Sequence, residues 1–195
     1  MNVFEAIKWR RSVREFSSQK IEPDKLLQIL EAGRLAPSSS NRQAWHFVVV
    51  DNENLIKKIP EKVIIGTKGI ISWIKDAPLV IVGCYTKAIT HFVAGLYGRE
   101  NHLIDISIAM TQMVLEATEL GIGSCFIGWF NEKHVKRLLQ IPDGWRIAML
   151  VVFGYPKEKS TPEGIGGIKP RPRKELKEIV SYNGWGRTLP FGQGY

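Results

Sequence analysis

The sequence predicts an α+β fold in which a central mixed sheet is flanked by helices. Short runs rich in β-branched residues and bounded by turn formers are typical of buried strands. Amphipathic segments with helical periodicity lie between these runs without regular alternation of strand and helix. The length of 195 residues is enough to bury a sizeable core, and we expect a single domain over residues 1–195.

Two helices are predicted before the first strand. Asn2 and Glu5 form a capping-box pattern at the start of the first helix, which should run to the RRS turn. Pro23 occupies a favoured first-turn position of the second helix, and Pro37 must end it. The segment PSSSN is then a loop.

Three interior strands are predicted at His46 to Asp51, Pro78 to Tyr85 and Trp145 to Tyr155. The segment GIGSCFIG is a short strand or a turn, and Asn131 is the cap of a later helix.

The segment from Leu103 to Leu120 predicts a helix with apolar side chains around most of its circumference. Because one small subunit can hardly cover such a helix, we expect a homodimer whose interface includes it. The stretch from Pro156 to Pro172 is rich in proline and glycine and indicates a connector. The aromatic tail after it, with Tyr182 and Trp185, is expected to extend onto the partner subunit as an intertwined C-terminal extension.

Composition narrows the class of protein. Apolar residues make up 44% and charged residues 24%, and no apolar run is long enough to span a bilayer, so a membrane protein is not indicated. Cys84 and Cys125 both lie in apolar runs, as expected of buried reduced thiols, and favour a cytoplasmic location. The net charge of +8 leaves a basic nucleic-acid-binding protein as an alternative, although the cations are dispersed.

The sequence lacks the motifs of several other classes of binding site and enzyme. The glycines from Gly121 to Gly128 follow a helix and do not have the spacing of a dinucleotide-binding loop, and there is no P-loop and no G-x-S-x-G. The four histidines and two cysteines show no spacing of metal ligands, so no metal is expected.

Two clusters of basic residues could bind an anion. Arg10, Ser12 and Arg14 alternate, so an extended backbone would direct all three side chains to one side. Arg171 and Arg173 alternate in the same way, and guanidinium groups bind phosphate in bidentate fashion. On local sequence alone, a solvated basic surface is the commoner interpretation of each cluster.

The loop from Pro37 to Asn41, with Gln43 beyond it, offers hydroxyl and amide groups ahead of a buried strand. It could form hydrogen bonds to a polar ring edge, or it could be an ordinary turn.

Taken in order, four motifs resemble those of the nitroreductase family of FMN enzymes: RRSVREF, APSSSNRQAWHF, GIGSCFIG and RPRKELKEIV. Together they span nearly the whole chain. The resemblance implies an α+β homodimer with one FMN at each of two sites along the subunit interface. It also implies FMN-binding roles for these residues: Arg10, Arg11, Ser12, Arg14, Pro37, Ser38, Ser39, Asn41, Gln43, Ile127, Gly128, Arg171 and Arg173.

Within that set, Arg10, Ser12, Arg171 and Arg173 would hold the phosphate, and Arg14 would lie near the ribityl chain and the pyrimidine side of the flavin. The loop residues would lie on the flavin, and Ile127 and Gly128 would pass backbone beside N5. The implied mechanism is ping-pong, from NADH or NADPH through flavin N5 to a nitroaromatic, quinone or activated alkene, with no catalytic side chain.

The sequence departs from the family pattern at two places. Ala44 stands where many members have proline, and the segment from Thr86 to Asn101 is short where larger members insert helices that shape the substrate pocket. The short segment leaves the substrate open, so a dehalogenase or a ring dehydrogenase of the same fold remains an alternative.

Overall fold

The computed structural model describes residues 1–62, 71–86, 100–158 and 172–190. Its helices are α1 (Val3–Trp9), α2 (Pro23–Arg34), α3 (Glu53–Lys58), α4 (Asn101–Glu119), α5 (Glu132–Leu139) and α6 (Leu176–Ile179), and its strands are β1 (Trp45–Val50), β2 (Leu79–Tyr85), β3 (Gly123–Ile127) and β4 (Arg146–Gly154). Every helix and strand predicted within the described residues is present within two residues of its expected bounds. The helix α3 was not predicted.

Asparagine side chains begin three of these helices. The Asn2 side chain accepts from the backbone N–H of Glu5 at 2.9 Å, and the Glu5 carboxylate accepts from the Asn2 N–H at 2.8 Å, which confirms the capping box. Asn131 caps α5 as predicted. Asn52 caps α3 in the same way, by accepting from the Leu55 N–H at 3.1 Å. An asparagine at this position is a typical start signal, so the beginning of α3 could have been predicted from the sequence.

The four strands form one sheet in the order β1-β2-β4-β3, and each neighbouring pair is antiparallel. Within the described residues, the parallel pairing expected of a mixed sheet is limited to an isolated bridge between Ser12 and Ser124. The segment GIGSCFIG therefore contributes an edge strand, and the chain after α1 lies along it.

Helices cover both faces of the sheet. Successive residues of a strand point to opposite sides, so neighbouring residues of β2 contact different helix layers. Ile81 faces the layer of α2 and α4, where Ile29 and Met110 are fully buried. Val82 faces the opposite layer, which includes Ile56 of α3 and Val135 of α5. Every residue of β2 is buried, as the sequence predicts for an interior strand.

The helices α2 and α4 approach each other closely at Gly33, where an added Cβ would overlap the Met113 side chain. On its outward side, however, α4 leaves Ile104 57% exposed. Within the described part of one chain, the sheet, α1 and α2 cover the long apolar helix, and its outward side at Ile104 is left exposed.

Some predicted features lie wholly or partly outside the described residues. These are Arg171, most of the proline-rich connector, the short segment at 87–99 and the last five residues. In the described part of the tail, Trp185 is completely exposed. No helix among the described residues is both long enough and apolar enough to cross a membrane.

Candidate functional site

The arginine-serine segment after α1 is extended and fixed against the edge of β3. The Val13 N–H donates to the Ser124 carbonyl at 2.9 Å, and Val13 is buried. Gly123 permits this approach, because an added Cβ would lie 2.8 Å from the Val13 side chain. Alternation along the extended chain then turns Ser12 and Arg14 away from the buried Val13 side, as the sequence predicts.

The two basic clusters converge. Burial lowers the pKa of Arg11, and the charges of Arg10 and then Arg173 lower it further. A like charge has this effect only when it lies near, so Arg173 of the C-terminal segment lies near the cluster that follows α1. Arg171 lies outside the described residues. The Arg11 guanidinium also donates to the Lys8 carbonyl and, at 2.9 Å, to the Arg10 carbonyl.

Arg14 is oriented by an aromatic ring that the sequence analysis missed. Its guanidinium carbon lies 6.0 Å from the centre of the Trp73 ring, which is the range of a cation–π contact. Trp73 in turn packs beside Phe16, with ring centres 6.4 Å apart. No local pattern indicates this contact, because Arg14 and Trp73 are 59 positions apart in the sequence.

The loop that precedes β1 is anchored to α4. The Ser39 backbone N–H and hydroxyl both donate to the carboxylate of Asp105, at 3.0 to 3.2 Å. Asp105 is 4% exposed, and it is a second residue that sequence reasoning missed. A charged residue within the apolar pattern of a long helix was the available signal.

The same loop holds three polar residues in a hydrogen-bonded arrangement. The Ser38 hydroxyl accepts from the Gln43 N–H at 2.9 Å. The Gln43 side-chain amide donates to the Asn41 side-chain oxygen at 3.1 Å. This leaves the Asn41 amide nitrogen, a donor, at an exposed position, whereas Pro37 forms the start of the loop without an N–H to donate.

The end of β3 opens onto free space. Ile127 is buried, but among the residues that the structure describes nothing lies within 4 Å of a Cβ built at the next residue, Gly128. Backbone at Gly128 is therefore accessible to a flat ligand.

One chain does not bring all these groups together. The loop enters the sheet at Trp45 of β1, whereas Ser12 lies beside Ser124 of β3, three strands away. Ser124 pairs with Phe153 of β4, which pairs with Leu79 of β2, whereas Trp45 pairs with Tyr85 of β2. Leu79 and Tyr85 are six residues apart, so the two points are also offset by six residues along the strands. With strands about 4.8 Å apart and about 3.3 Å per residue, the separation is roughly 25 Å. The predicted residues form two half-sites at opposite corners of the sheet.

Among the described residues, no group of three or more His, Cys, Asp or Glu side chains could hold a metal ion. Cys84 and Cys125 are both buried and are not joined in a disulfide, as predicted.

The chain is similar to known proteins along most of its length. The model of the family described as "Nitroreductase family" matches residues 7–70 and 66–155. A protein of Methanothermobacter thermautotrophicus named as an NADH dehydrogenase/NAD(P)H nitroreductase is 32% identical over 162 residues, covering 81% of this chain and 79% of the relative. An iodotyrosine deiodinase of Thermotoga neapolitana is 25% identical over 196 residues, covering 93% of this chain and 97% of the relative.

A solved structure of an FMN-dependent nitroreductase from Clostridium difficile superposes with a TM-score of 0.76 at 27% identity, and the match covers 93% of this chain and 99% of that one. The fold, the ordered motifs and these matches agree: the chain belongs to the nitroreductase family.

Proposed function

We propose that this protein binds FMN across two copies of the chain and transfers two electrons from NADH or NADPH to a small acceptor such as a nitroaromatic, a quinone or an activated alkene. Membership of the nitroreductase family makes the chain an NAD(P)H-dependent flavin oxidoreductase with FMN as its cofactor. The observation that carries the residue assignment is the convergence of Arg173 on the cluster after α1.

The phosphate end of FMN fits this cluster. Cations that lie close together form a site of positive potential, to which a dianionic phosphate would bind. Arg10 and Arg173 would bind the phosphate oxygens, with Arg171 beside them, and the Ser12 hydroxyl would donate a further hydrogen bond. Arg11, whose pKa the charges of Arg10 and Arg173 lower, would add to this positive potential.

The flavin ring fits the open space beyond β3. Gly128 has room for a planar ring against its backbone, and Ile127 would present backbone beside it. Arg14, held by Trp73, would lie near the pyrimidine end, where a cation favours negative charge on the ring. The redox chemistry comes from FMN when it is bound, while these residues position the ring and set its electrostatic surroundings.

The second half-site would come from another copy of the chain. A mononucleotide does not span the roughly 25 Å between Ser12 and the loop of the same chain. In a homodimer, Pro37, Ser38, Ser39, Asn41 and Gln43 of one subunit would reach the flavin held by the other. Apolar residues on the outward surface are available for such an interface: Val3, Phe4 and Ile7 of α1 are 51 to 74% exposed, and Ile104 of α4 is 57% exposed.

The same proposal gives the C-terminal segment a role. Leu176, Ile179, Tyr182 and Trp185 are all exposed in one chain, and we expect them to be covered by the partner subunit as an intertwined extension. The two reduced thiols suit a reducing compartment, so we place the protein in the cytoplasm. We treat residues 1–195 as one domain.

Mixed dimers test the shared site directly. Arg10→Gln disables one half-site and Asn41→Ala the other, and each variant alone should bind FMN weakly. A heterodimer of the two has one site with both halves intact, so an equal mixture refolded together should regain about a quarter of the wild-type sites. FMN fluorescence quenching counts the sites. No recovery in a preparation whose mass shows dimers would contradict the shared site, and a wild-type protein that takes up no FMN would contradict the cofactor assignment.

Reductive dehalogenation is the second candidate activity. It is favoured by the relative named iodotyrosine deiodinase, which matches this chain over nearly its full length. Release of iodide from an iodinated phenol by the reduced enzyme, faster than its oxidation by a nitroaromatic or a quinone, would select this activity over the first.

A further inference from the structure

The carboxylate of Asp105 is buried beneath the loop that carries Asn41 and Gln43. It is 4% exposed, and it accepts the Ser39 N–H at 3.1 and 3.2 Å and the Ser39 hydroxyl at 3.0 Å. These hydrogen bonds join two segments that are 66 residues apart in sequence. A charged acceptor makes stronger hydrogen bonds than a neutral one, and more so in a buried setting.

The loop needs such an anchor because its backbone is unfavourable. Ser40, Asn41 and Gln43 have φ values of 53°, 53° and 49°, in the left-handed region that residues with a side chain rarely adopt. Conformations of this kind persist only where the surroundings hold them. The Ser38 to Gln43 hydrogen bond lies within the loop, so it does not fix the loop relative to the rest of the protein. The hydrogen bonds between Ser39 and Asp105 do fix the loop, because they join it to α4.

We propose that Asp105 is a positioning residue for the cofactor: it locks Ser39 to α4 and thereby holds Asn41 and Gln43 in the orientation that contacts the flavin. This inference rests on the proposed function. Asp105 lies one residue from Ile104, which is exposed on the outward face of α4. The helix that would contact the partner subunit therefore also fixes the loop that would reach the partner's flavin, so assembly and cofactor geometry are set by the same element.

The chemistry of the contact predicts which substitutions matter. Asp105→Asn keeps one acceptor oxygen but replaces the other by an NH2 group, which cannot accept from the Ser39 N–H. Ser39→Ala removes the hydroxyl donor and keeps the N–H, whereas Ser39→Thr retains both. Ser40→Ala is a matched control, since Ser40 is an exposed hydroxyl in the same loop.

The experiment measures FMN affinity by fluorescence quenching of the refilled apoprotein, together with hydrogen exchange of residues 38–43. We expect the dissociation constant to rise about fivefold for Ser39→Ala and about tenfold for Asp105→Asn. The double variant should be no worse than Asp105→Asn alone, because both changes remove one coupled contact. The loop amides should exchange faster in Asp105→Asn even without FMN, and Ser40→Ala should resemble the wild type.

A purely structural role would give a different result. If Asp105→Asn lowers the melting temperature but leaves the FMN affinity, the flavin absorbance bands and loop exchange unchanged, the inference is wrong while the proposed function stands. Additive effects of the two substitutions would likewise overturn it. A wild-type protein that fails to bind FMN would remove the proposed function and the inference together.

Discussion

Replacing Arg173 by glutamine tests whether the C-terminal segment completes a phosphate site. Arg173 is exposed, and its charge lies close enough to lower the pKa of Arg11. The Arg173 guanidinium donates to the Pro172 carbonyl at 3.3 Å, a local contact whose loss should change stability little. The substitution should therefore affect ligand binding far more than folding.

The size of the effect follows from the exposure of the side chain. Hydrogen bonds to charged groups contribute about 1.5 to 3 kcal/mol. Because solvent screens an exposed guanidinium, the lower end applies, which corresponds to roughly a tenfold weaker binding of FMN. The loss should shrink as salt is added, since the interaction is one of charge.

Riboflavin provides the matched ligand, because it lacks the phosphate. Titration of the apoprotein should show a tenfold loss for FMN in Arg173→Gln and no loss for riboflavin. Lys57→Gln removes the same charge from an exposed ion pair on α3 and should bind both ligands as the wild type does. Equal losses for FMN and riboflavin, or no loss for FMN, would refute the assignment of Arg173 to the phosphate.

Three further predictions concern the redox potential, acid stability and thiol reactivity. Trp73→Leu removes the ring beside Arg14, so the midpoint potential of bound FMN, measured against a reference dye, should fall by roughly 10 to 20 mV. The hydrogen bond from Tyr155 lowers the pKa of Glu22 from 4.5 to about 2. The stability it gives is present above pH 4.5 and is lost as pH falls towards 2, so Tyr155→Phe should flatten the acid side of a melting-temperature profile. Burial raises the pKa of the Cys84 thiol to about 11, so native protein at pH 8 should not react there with a chromogenic disulfide, whereas unfolded protein should.

Sequence reasoning succeeded where the signal is local. The Asn2 and Asn131 caps and the limits set by Pro23 and Pro37 depend on residues within one turn, and the structure has them in place. It missed α3 because that helix is short, although Asn52 caps it in the same manner. The predicted fold class included a mixed sheet, whereas in the described residues parallel pairing is limited to the bridge at Ser12.

By itself, the sequence determined the class of fold, the elements around the core and the motifs that place the chain in its family. These follow from periodicity, capping and turn chemistry, which act over a few residues. Only the tertiary structure decided that Arg173 lies near Arg11, that Trp73 lies beside Arg14 and that Asp105 holds Ser39. It also separated the loop from the arginine cluster, because strand order and register, which no local pattern encodes, set the distance between segments remote in sequence.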